Sequence, residues 1–313
     1  MNNWSAPVTI SCILLTLYSC TSLDSPAALS VPSGEERSFH TTKNGCRLFV
    51  YDYKPRGIYA STIFILSGIT GINHEKEKDI IDLLSNNQNR VVVIHPRGTG
   101  YSEGKRGDIN DFSDFTNDYA ELIKLDPDYN SKEHKILLYG HSMSTAVALA
   151  VADKVGNIGG AILVNPPYIL KKAKGMSPGF GQYVKYAFYW VFARHKPVVN
   201  MAGDPARIED PEDRSDAESR IGDPLLVSHF SLYYMMQSRK LMKSMARYAR
   251  SAGYPLLLVF GGKDNIVDKK GCDILFGAWK SENKQYILIE NGSHGESTVI
   301  QSKEAICQWI SNL

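Results

Sequence analysis

Between residues 61 and 289 the chain holds six short, continuously apolar runs: Ser61–Leu66, Arg90–Ile94, Lys135–Tyr139, Ala161–Val164, Pro255–Phe260 and Gln285–Ile289. A strand with one face in water alternates apolar and polar side chains, so a run that is apolar throughout is a strand covered on both faces. Helical spacing occupies stretches between and after these runs: about Lys78–Leu84, then Phe112, Phe115, Tyr119, Leu122 and Ile123, then Ser144–Val155, and finally Val299–Ile310. Strands joined through helices require right-handed crossovers and give a mostly parallel twisted sheet with helices on both faces. Residues 37–42 and 46–53 flank Lys43-Asn44-Gly45. Asn-Gly between alternating runs predicts a hairpin, which adds antiparallel strands at one edge.

The βα rhythm fails between about Tyr168 and Ser238. That stretch carries Lys171-Lys172-Ala173-Lys174, then Phe180, Tyr183, Tyr186, Phe188, Tyr189, Trp190 and Phe192, then an acidic, proline-containing segment from Glu209 to Glu218. The acidic segment reads as a solvated face. An insertion of this size between strands of a parallel sheet reads as a lid over 168–238, leaving 37–167 and 239–313 as the core. Aromatic and basic residues together, with Lys185, Arg194 and Lys196 beside the cluster, suit the boundary of an anionic membrane. The alternative is that the aromatics pack the lid onto the body. Composition narrows the function classes. With 35 Lys plus Arg against 33 Asp plus Glu, the net charge of +2 makes no case for a nucleic-acid partner. The five cysteines include no C-x-x-C pair, which excludes zinc ribbons and redox dithiols.

The chemistry sits where the strand Lys135–Tyr139 runs into Gly140-His141-Ser142-Met143-Ser144 and a helix opens. A sharp strand-to-helix turn lifts Ser142 above the sheet edge, and small residues are needed two positions either side because strand and helix pass close. Gly140 meets that need, and Ser144 stands where the pattern has Gly. A serine in such an elbow needs a base and an orienting acid, each after a later strand, in the order serine, acid, histidine. The strand Pro255–Phe260 ends in Gly261-Gly262-Lys263-Asp264, and Gln285–Ile289 ends in Glu290-Asn291-Gly292-Ser293-His294. Asp264 and His294 therefore complete the expected triad. Asp268 is the rival acid, deeper in the following segment. His141 is locked in the elbow, and His95 reads as loop packing. The oxyanion hole is expected from the backbone N–H of Met143 and a second N–H from Ser67-Gly68-Ile69-Thr70-Gly71, assigned to Ile69. Neither a metal nor a cofactor is required for this chemistry.

At the N-terminus, residues 8–19 are apolar and uncharged, about the length of a signal-peptide core and too short to span a membrane. Leu17-Tyr18-Ser19-Cys20 resembles the bacterial lipoprotein processing box, which implies that Cys20 takes lipid and that the protein is exported and membrane-associated. An ordinary cleaved signal peptide with a periplasmic or secreted product, or a buried N-terminal segment, are the alternatives. Residues 21–36, rich in Ser, Pro, Ala and Thr, suit a tether. If Cys20 carries lipid, Cys46, Cys272 and Cys307 remain, and at most one disulfide forms within a monomer.

The run His95-Pro96-Arg97-Gly98-Thr99-Gly100-Tyr101-Ser102-Glu103-Gly104-Lys105-Arg106-Gly107, leading to Asp111-Phe112, resembles the α/β-hydrolase lysophospholipases and monoacylglycerol lipases, as do Gly140-His141-Ser142-Met143 and Asp264-Asn265-Ile266-Val267. The similarity spans roughly residues 38–313 and implies the α/β-hydrolase fold, an inserted lid, and a lipid monoester as substrate. The family carries His-Gly at the oxyanion loop, where this chain has Ser67-Gly68, and Gly at position 144. Two other readings stay open: a short-chain esterase or aminopeptidase-like serine hydrolase of the same fold, and a non-catalytic lipoprotein that binds acyl chains.

Overall fold

Five of the six apolar runs form the centre of a single sheet, while the sixth, Gln285–Ile289, is its edge strand and is only partly buried, with Leu288 38% exposed, because no further strand among the described residues covers that edge. The structure, a computed structural model, describes residues 36–73, 77–86, 88–171, 180–201, 205–207 and 211–313. Cys20, the signal-like segment, residues 21–35 of the tether, and Lys172 and Lys174 lie outside the described residues. The strands are β1 (Arg37–Thr41), β2 (Arg47–Tyr53), β3 (Ser61–Ile65), β4 (Arg90–Ile94), β5 (Lys135–His141), β6 (Gly160–Val164), β7 (Pro197–Asn200), β8 (His229–Ser231), β9 (Leu256–Gly261) and β10 (Lys284–Ile289). Eight of them form one sheet in the order β1-β2-β4-β3-β5-β6-β9-β10. From β4 to β10 the pairing is parallel, while β2 is antiparallel to both β1 and β4.

The helices are α1 (Lys78–Asn86), α2 (Ser113–Leu125), α3 (Met143–Val155), α4 (Phe180–Phe192), α5 (Pro211–Arg220), α6 (Leu232–Lys243), α7 (Met245–Ser251), α8 (Lys269–Ala278), α9 (Glu296–Gln301) and α10 (Lys303–Ser311). Side chains of successive strand residues point to opposite faces, so each buried strand feeds two cores. Phe64, Val92 and Leu138 pack with Phe115 and Tyr119 of α2 and Ala146 and Leu149 of α3. Ile63, Val93 and Leu137 pack on the other face with Ile81 and Leu84 of α1 and Ile306 and Ile310 of α10. Full burial of each such side chain contributes about 1.5–3 kcal/mol before entropy. Two buried polar residues in these runs, Thr62 and Arg90, are paired with carboxylates, Thr62 with Asp128 and Arg90 with Asp52, Asp126 and Asp128.

The hairpin turn falls on Lys43-Asn44-Gly45, as expected: Thr42 N–H donates to Cys46 C=O at 2.9 Å, Gly45 N–H to Thr42 C=O at 2.8 Å, and Gly45 takes φ +82°. Two local features differ from the sequence pattern. The expected helix Val299–Ile310 is broken at Ser302, whose hydroxyl donates back to Val299 C=O at 3.0 Å and so competes with the helical ladder. The insertion, where the βα rhythm fails, contains the antiparallel pair β7–β8, too short to leave a pattern. Position 238 falls inside α6, which packs on α3. Cys46, Cys272 and Cys307 are all free thiols.

The insertion between β6 and β9 is held to the core through its C-terminal half and through His195. Val227 N–H donates to Thr70 C=O at 2.9 Å, Gly100 N–H to Leu225 C=O at 2.8 Å, and Ser231 N–H to Gly107 C=O at 2.8 Å. Arg106 donates to Pro224 and Leu226 C=O at 2.8 Å each. Buried Asp108 accepts from Ser231 Oγ at 2.7 Å and lies 3.1 Å from His195 Nδ1. Gly107 (φ +69°) has no room for a side chain, since a Cβ would lie 1.9 Å from His229 C=O. Helix α4 is different. On α4, Phe188 is 58% exposed, Val191 71% and Phe192 74%, and Tyr183 and Val184 are also exposed. Of the aromatics, Tyr183, Phe188 and Phe192 are therefore largely in water, while Tyr186 and Tyr189 are half-buried.

Candidate active site

Strand β5 delivers Ser142 into a backbone conformation that few non-glycine residues adopt, φ 55° and ψ −128°. Ser142 N–H donates to Val164 C=O at 2.9 Å, so the end of β6 carries the turn. Gly140 has to be glycine, because a Cβ there would lie 2.8 Å from Ser144 C=O. Ser144, in place of the second glycine, turns its hydroxyl back on the elbow. Its Oγ accepts from His141 N–H at 2.7 Å and donates to His141 C=O at 2.8 Å. The hydroxyl thus satisfies both backbone groups of the residue before the nucleophile.

The structure brings Ser142, His294 and Asp264 together. His294 Nε2 lies 2.8 Å from Ser142 Oγ, and its Nδ1 lies 2.7 Å from Asp264 Oδ2. Asp264 is fully buried. Its other oxygen accepts from Ile266 N–H at 2.8 Å and Val267 N–H at 2.7 Å, which fixes the carboxylate plane. A carboxylate accepts only, so Nδ1 carries the proton and Nε2 is left with a lone pair facing the Ser142 hydroxyl. Asp268, the rival acid, instead caps α8 by accepting from Lys270 N–H at 3.0 Å. Lys171 donates its ammonium to Asp264 C=O, so it belongs to the acid loop rather than to a basic rim of the insertion.

The oxyanion candidates adjoin the elbow. Met143 opens α3, and its N–H is one of the helix's unpaired first donors. A Cβ on Gly68 would lie 3.2 Å from Met143 Cβ, so the loop carrying Ile69 touches the elbow. Neither Met143 N–H nor Ile69 N–H donates to an acceptor among the described residues. The loop is anchored by Tyr119 from α2, whose hydroxyl accepts from Ser67 N–H at 3.1 Å and lies 3.1 Å from Ser67 Oγ. Burial pushes the Tyr119 phenol well above its ordinary range, so it stays protonated.

The remaining histidines near the site act through structure. His95 is fully buried, accepts from Tyr101 N–H through Nδ1 at 3.2 Å and stacks on the Tyr101 ring. His141 points Nε2 at His294 C=O, 2.7 Å away. A carbonyl only accepts, so that nitrogen is protonated and donates. Burial, then the neighbouring His294, hold the His141 pKa down at about 4, and the ring is neutral near pH 7. Sequence reading missed two residues that hold this rim, Tyr119 as a loop anchor and Asn165. Asn165 directly follows an apolar run and takes φ 49°. An Asn there, a residue that tolerates this conformation, was the available signal.

A serine, an imidazole and a buried carboxylate on the loops after β5, β10 and β9 of a parallel sheet define a serine hydrolase of the α/β-hydrolase fold. The Hydrolase_4 family model, described as serine aminopeptidase, S33, matches residues 60–296, and the chain belongs to that family. The monoglyceride lipase of Homo sapiens is 24% identical to it over 254 residues, 80% of each chain. The monoacylglycerol lipase of Mycolicibacterium smegmatis is 26% identical over 204 residues, 62% of this chain and 66% of its own. Among solved structures, a soluble variant of monoglyceride lipase from Saccharomyces cerevisiae bound to a substrate analog has a TM-score of 0.72 at 16% identity, covering 91% of this chain and 96% of that one. At that identity the likeness is one of fold.

Proposed function

We propose that the protein hydrolyses carboxylic esters of single-chain lipids, a lysophospholipid or a monoacylglycerol, through an acyl-serine on Ser142. The observation that carries this reading is the unbroken relay from Ser142 Oγ through His294 to buried Asp264, at 2.8 and 2.7 Å. Ser142 Oγ attacks the ester carbonyl carbon while His294 Nε2 takes the hydroxyl proton. Asp264 holds the tautomer and balances the imidazolium. The carbonyl oxygen, now anionic, accepts from Met143 and Ile69 N–H. Collapse breaks the ester C–O bond, and His294 returns its proton to the departing alcohol. Water then attacks the acyl-serine with His294 again as base, which releases the fatty acid and restores Ser142.

A lipid substrate is supported by the relatives named monoglyceride lipase and by the exposed apolar face of α4, flanked by Lys185, Arg194 and Lys196. Apolar and cationic side chains on one face suit contact with an anionic lipid surface. The insertion would then act as the lid over the site. The family description favours a second reading, cleavage of short esters or N-terminal peptide bonds. Fluorophosphonate labelling of the wild type beside Ser142→Ala, followed by a panel of lysophospholipids, monoacylglycerols, short water-soluble esters and aminoacyl amides, separates them. Labelling lost only in the variant, with turnover of the lipid monoesters, is expected. Turnover of only short esters or amides would replace the substrate, and wild type that does not label would leave the acyl-binding lipoprotein.

Export and anchoring rest on residues 8–20. Lipidation at Cys20 predicts incorporation of labelled fatty acid into wild type and not into Cys20→Ser. Incorporation in both would remove the anchor.

A further inference from the structure

We infer that Asn165 is a positioning residue for catalysis, a buried amide that sets the acid loop and the base loop at a fixed separation. The inference rests on the roles proposed for Ser142, His294 and Asp264, and it concerns a residue that touches none of the reacting atoms.

Asn165 is the first residue past β6, and its side chain is fully buried between the ends of β9 and β10. Its Oδ1 accepts from Gly261 N–H at 2.8 Å. Gly261 ends β9 and in turn accepts from Asp264 N–H at 3.0 Å, so this end of the amide grips the root of the acid loop. Its Nδ2 donates to Ser293 C=O at 3.2 Å and to His294 C=O at 3.1 Å, so the other end grips the base itself. The orientation of the amide is decided by its partners, since one side faces a donor and the other faces two acceptors.

The backbone agrees with that role. Asn165 sits at φ 49°, where β-branched and bulky residues are strained and Asn is tolerated, and its N–H donates to Val259 C=O at 2.9 Å. Gly261 and Gly292 pack so tightly that a Cβ on either would lie 2.3 Å from Thr298 Oγ1, which leaves the amide as the spacer between two crowded loops. The His294 carbonyl takes a second donor, His141 Nε2, at 2.7 Å from the elbow side. The base is therefore held through its own main chain from two directions, one referenced to the acid loop and one to the nucleophile. Its ring has only to rotate onto Ser142 and Asp264. A displacement of about 1 Å in such a constellation can cost on the order of 10²-fold in rate.

The test uses Asn165→Asp and Asn165→Gly. Aspartate has the same shape and keeps the acceptor for Gly261 N–H, but sets an oxygen against the two carbonyls. Glycine accepts the positive φ and removes both grips. For each, kcat and KM on a p-nitrophenyl acyl ester, the rate of fluorophosphonate labelling and the thermal midpoint are measured well below the melting range. Both variants are expected to lose between about 10-fold and about 100-fold in kcat and in labelling rate, with KM unchanged. Paired with His141→Phe, each is expected to lose less than the product of the single losses, because both grips act on one carbonyl. A lowered midpoint with wild-type kcat and labelling rate would make Asn165 structural only and overturn the inference. Ser142→Ala run alongside keeps the two readings apart: activity retained in Ser142→Ala sinks the triad itself, whereas a dead Ser142→Ala beside fully active Asn165 variants sinks only the positioning role.

Discussion

Around Ser142 the chain invests buried hydrogen bonds. Tyr119 holds the loop of Ile69, Ser144 closes the elbow on itself, and His141 and Asn165 hold His294. On α4 the opposite holds: Tyr183, Val184, Phe188, Val191 and Phe192 are each more than half exposed, on a helix of 13 residues. A helix of that length is marginal by its own hydrogen bonds. Each square ångström of apolar surface it keeps in water forgoes about 25 cal/mol. The rim fixes Ser142 Oγ and His294 Nε2 at the distance over which a proton has to pass. Helix α4 leaves its apolar surface in water.

If the rim carries the chemistry, the largest effects belong there. Asp264→Asn should lower kcat by roughly 10⁴-fold, since the amide can stabilise the wrong tautomer of His294. Asp268→Asn should leave kcat unchanged, because that carboxylate caps α8 and touches no member of the triad. Steady-state kinetics on one soluble ester checks both, and equal losses would misassign the acid.

Next in size is Ser144→Gly, which installs the residue the elbow pattern prefers. It strands His141 N–H and C=O, and an unpaired buried group costs about 1–3 kcal/mol. Denaturant unfolding should show a loss of that order, and a neutral or stabilising result would mean the hydroxyl adds nothing to the turn.

A smaller effect follows from His141. Its pKa is lowered from 6.5 in the unfolded chain to about 4 in the fold. Between those values the unfolded chain binds a proton that the fold does not, so stability falls as pH drops from about 6.5 towards 4. His141→Gln should flatten that part of a stability-against-pH curve measured by urea unfolding.

The smallest effect on chemistry is expected on the other side of the contrast. Phe188→Ser, Val191→Ser and Phe192→Ser together should change stability by no more than about 0.5 kcal/mol each. Turnover of a soluble short ester should stay at wild type while co-sedimentation with phosphatidylglycerol-containing vesicles falls. Unchanged sedimentation would take the lipid surface away from α4.

The same contrast explains what could be read from the chain. Although the run before His294 is the edge strand and only partly buried, the elbow, Asp264 and His294 were legible because each follows an apolar run that forms a strand of the sheet. Asn165 also ends one, but a single Asn after Val164 is the commonest sort of loop residue, and its three partners come from 96 to 129 positions away. Ser302 looks like an ordinary helix residue until its hydroxyl is seen to bond back to Val299. The exposed face of α4 could not be anticipated, because its side chains are apolar nearly all round and composition does not say which of them meets water. The three-residue β8 is held by Gly107 and Asp108 of the core, and such long-range pairing leaves no periodicity.

The bond from Val227 N–H to Thr70 C=O makes the two halves of the insertion unequal for anyone wishing to redesign it. Exchanging the exposed residues of α4 alone leaves the anchors on either side of it, Lys171 and His195, in place. Excising the whole insertion would also take away the donor to Thr70, in the loop bearing Ile69, so that variant should lose turnover.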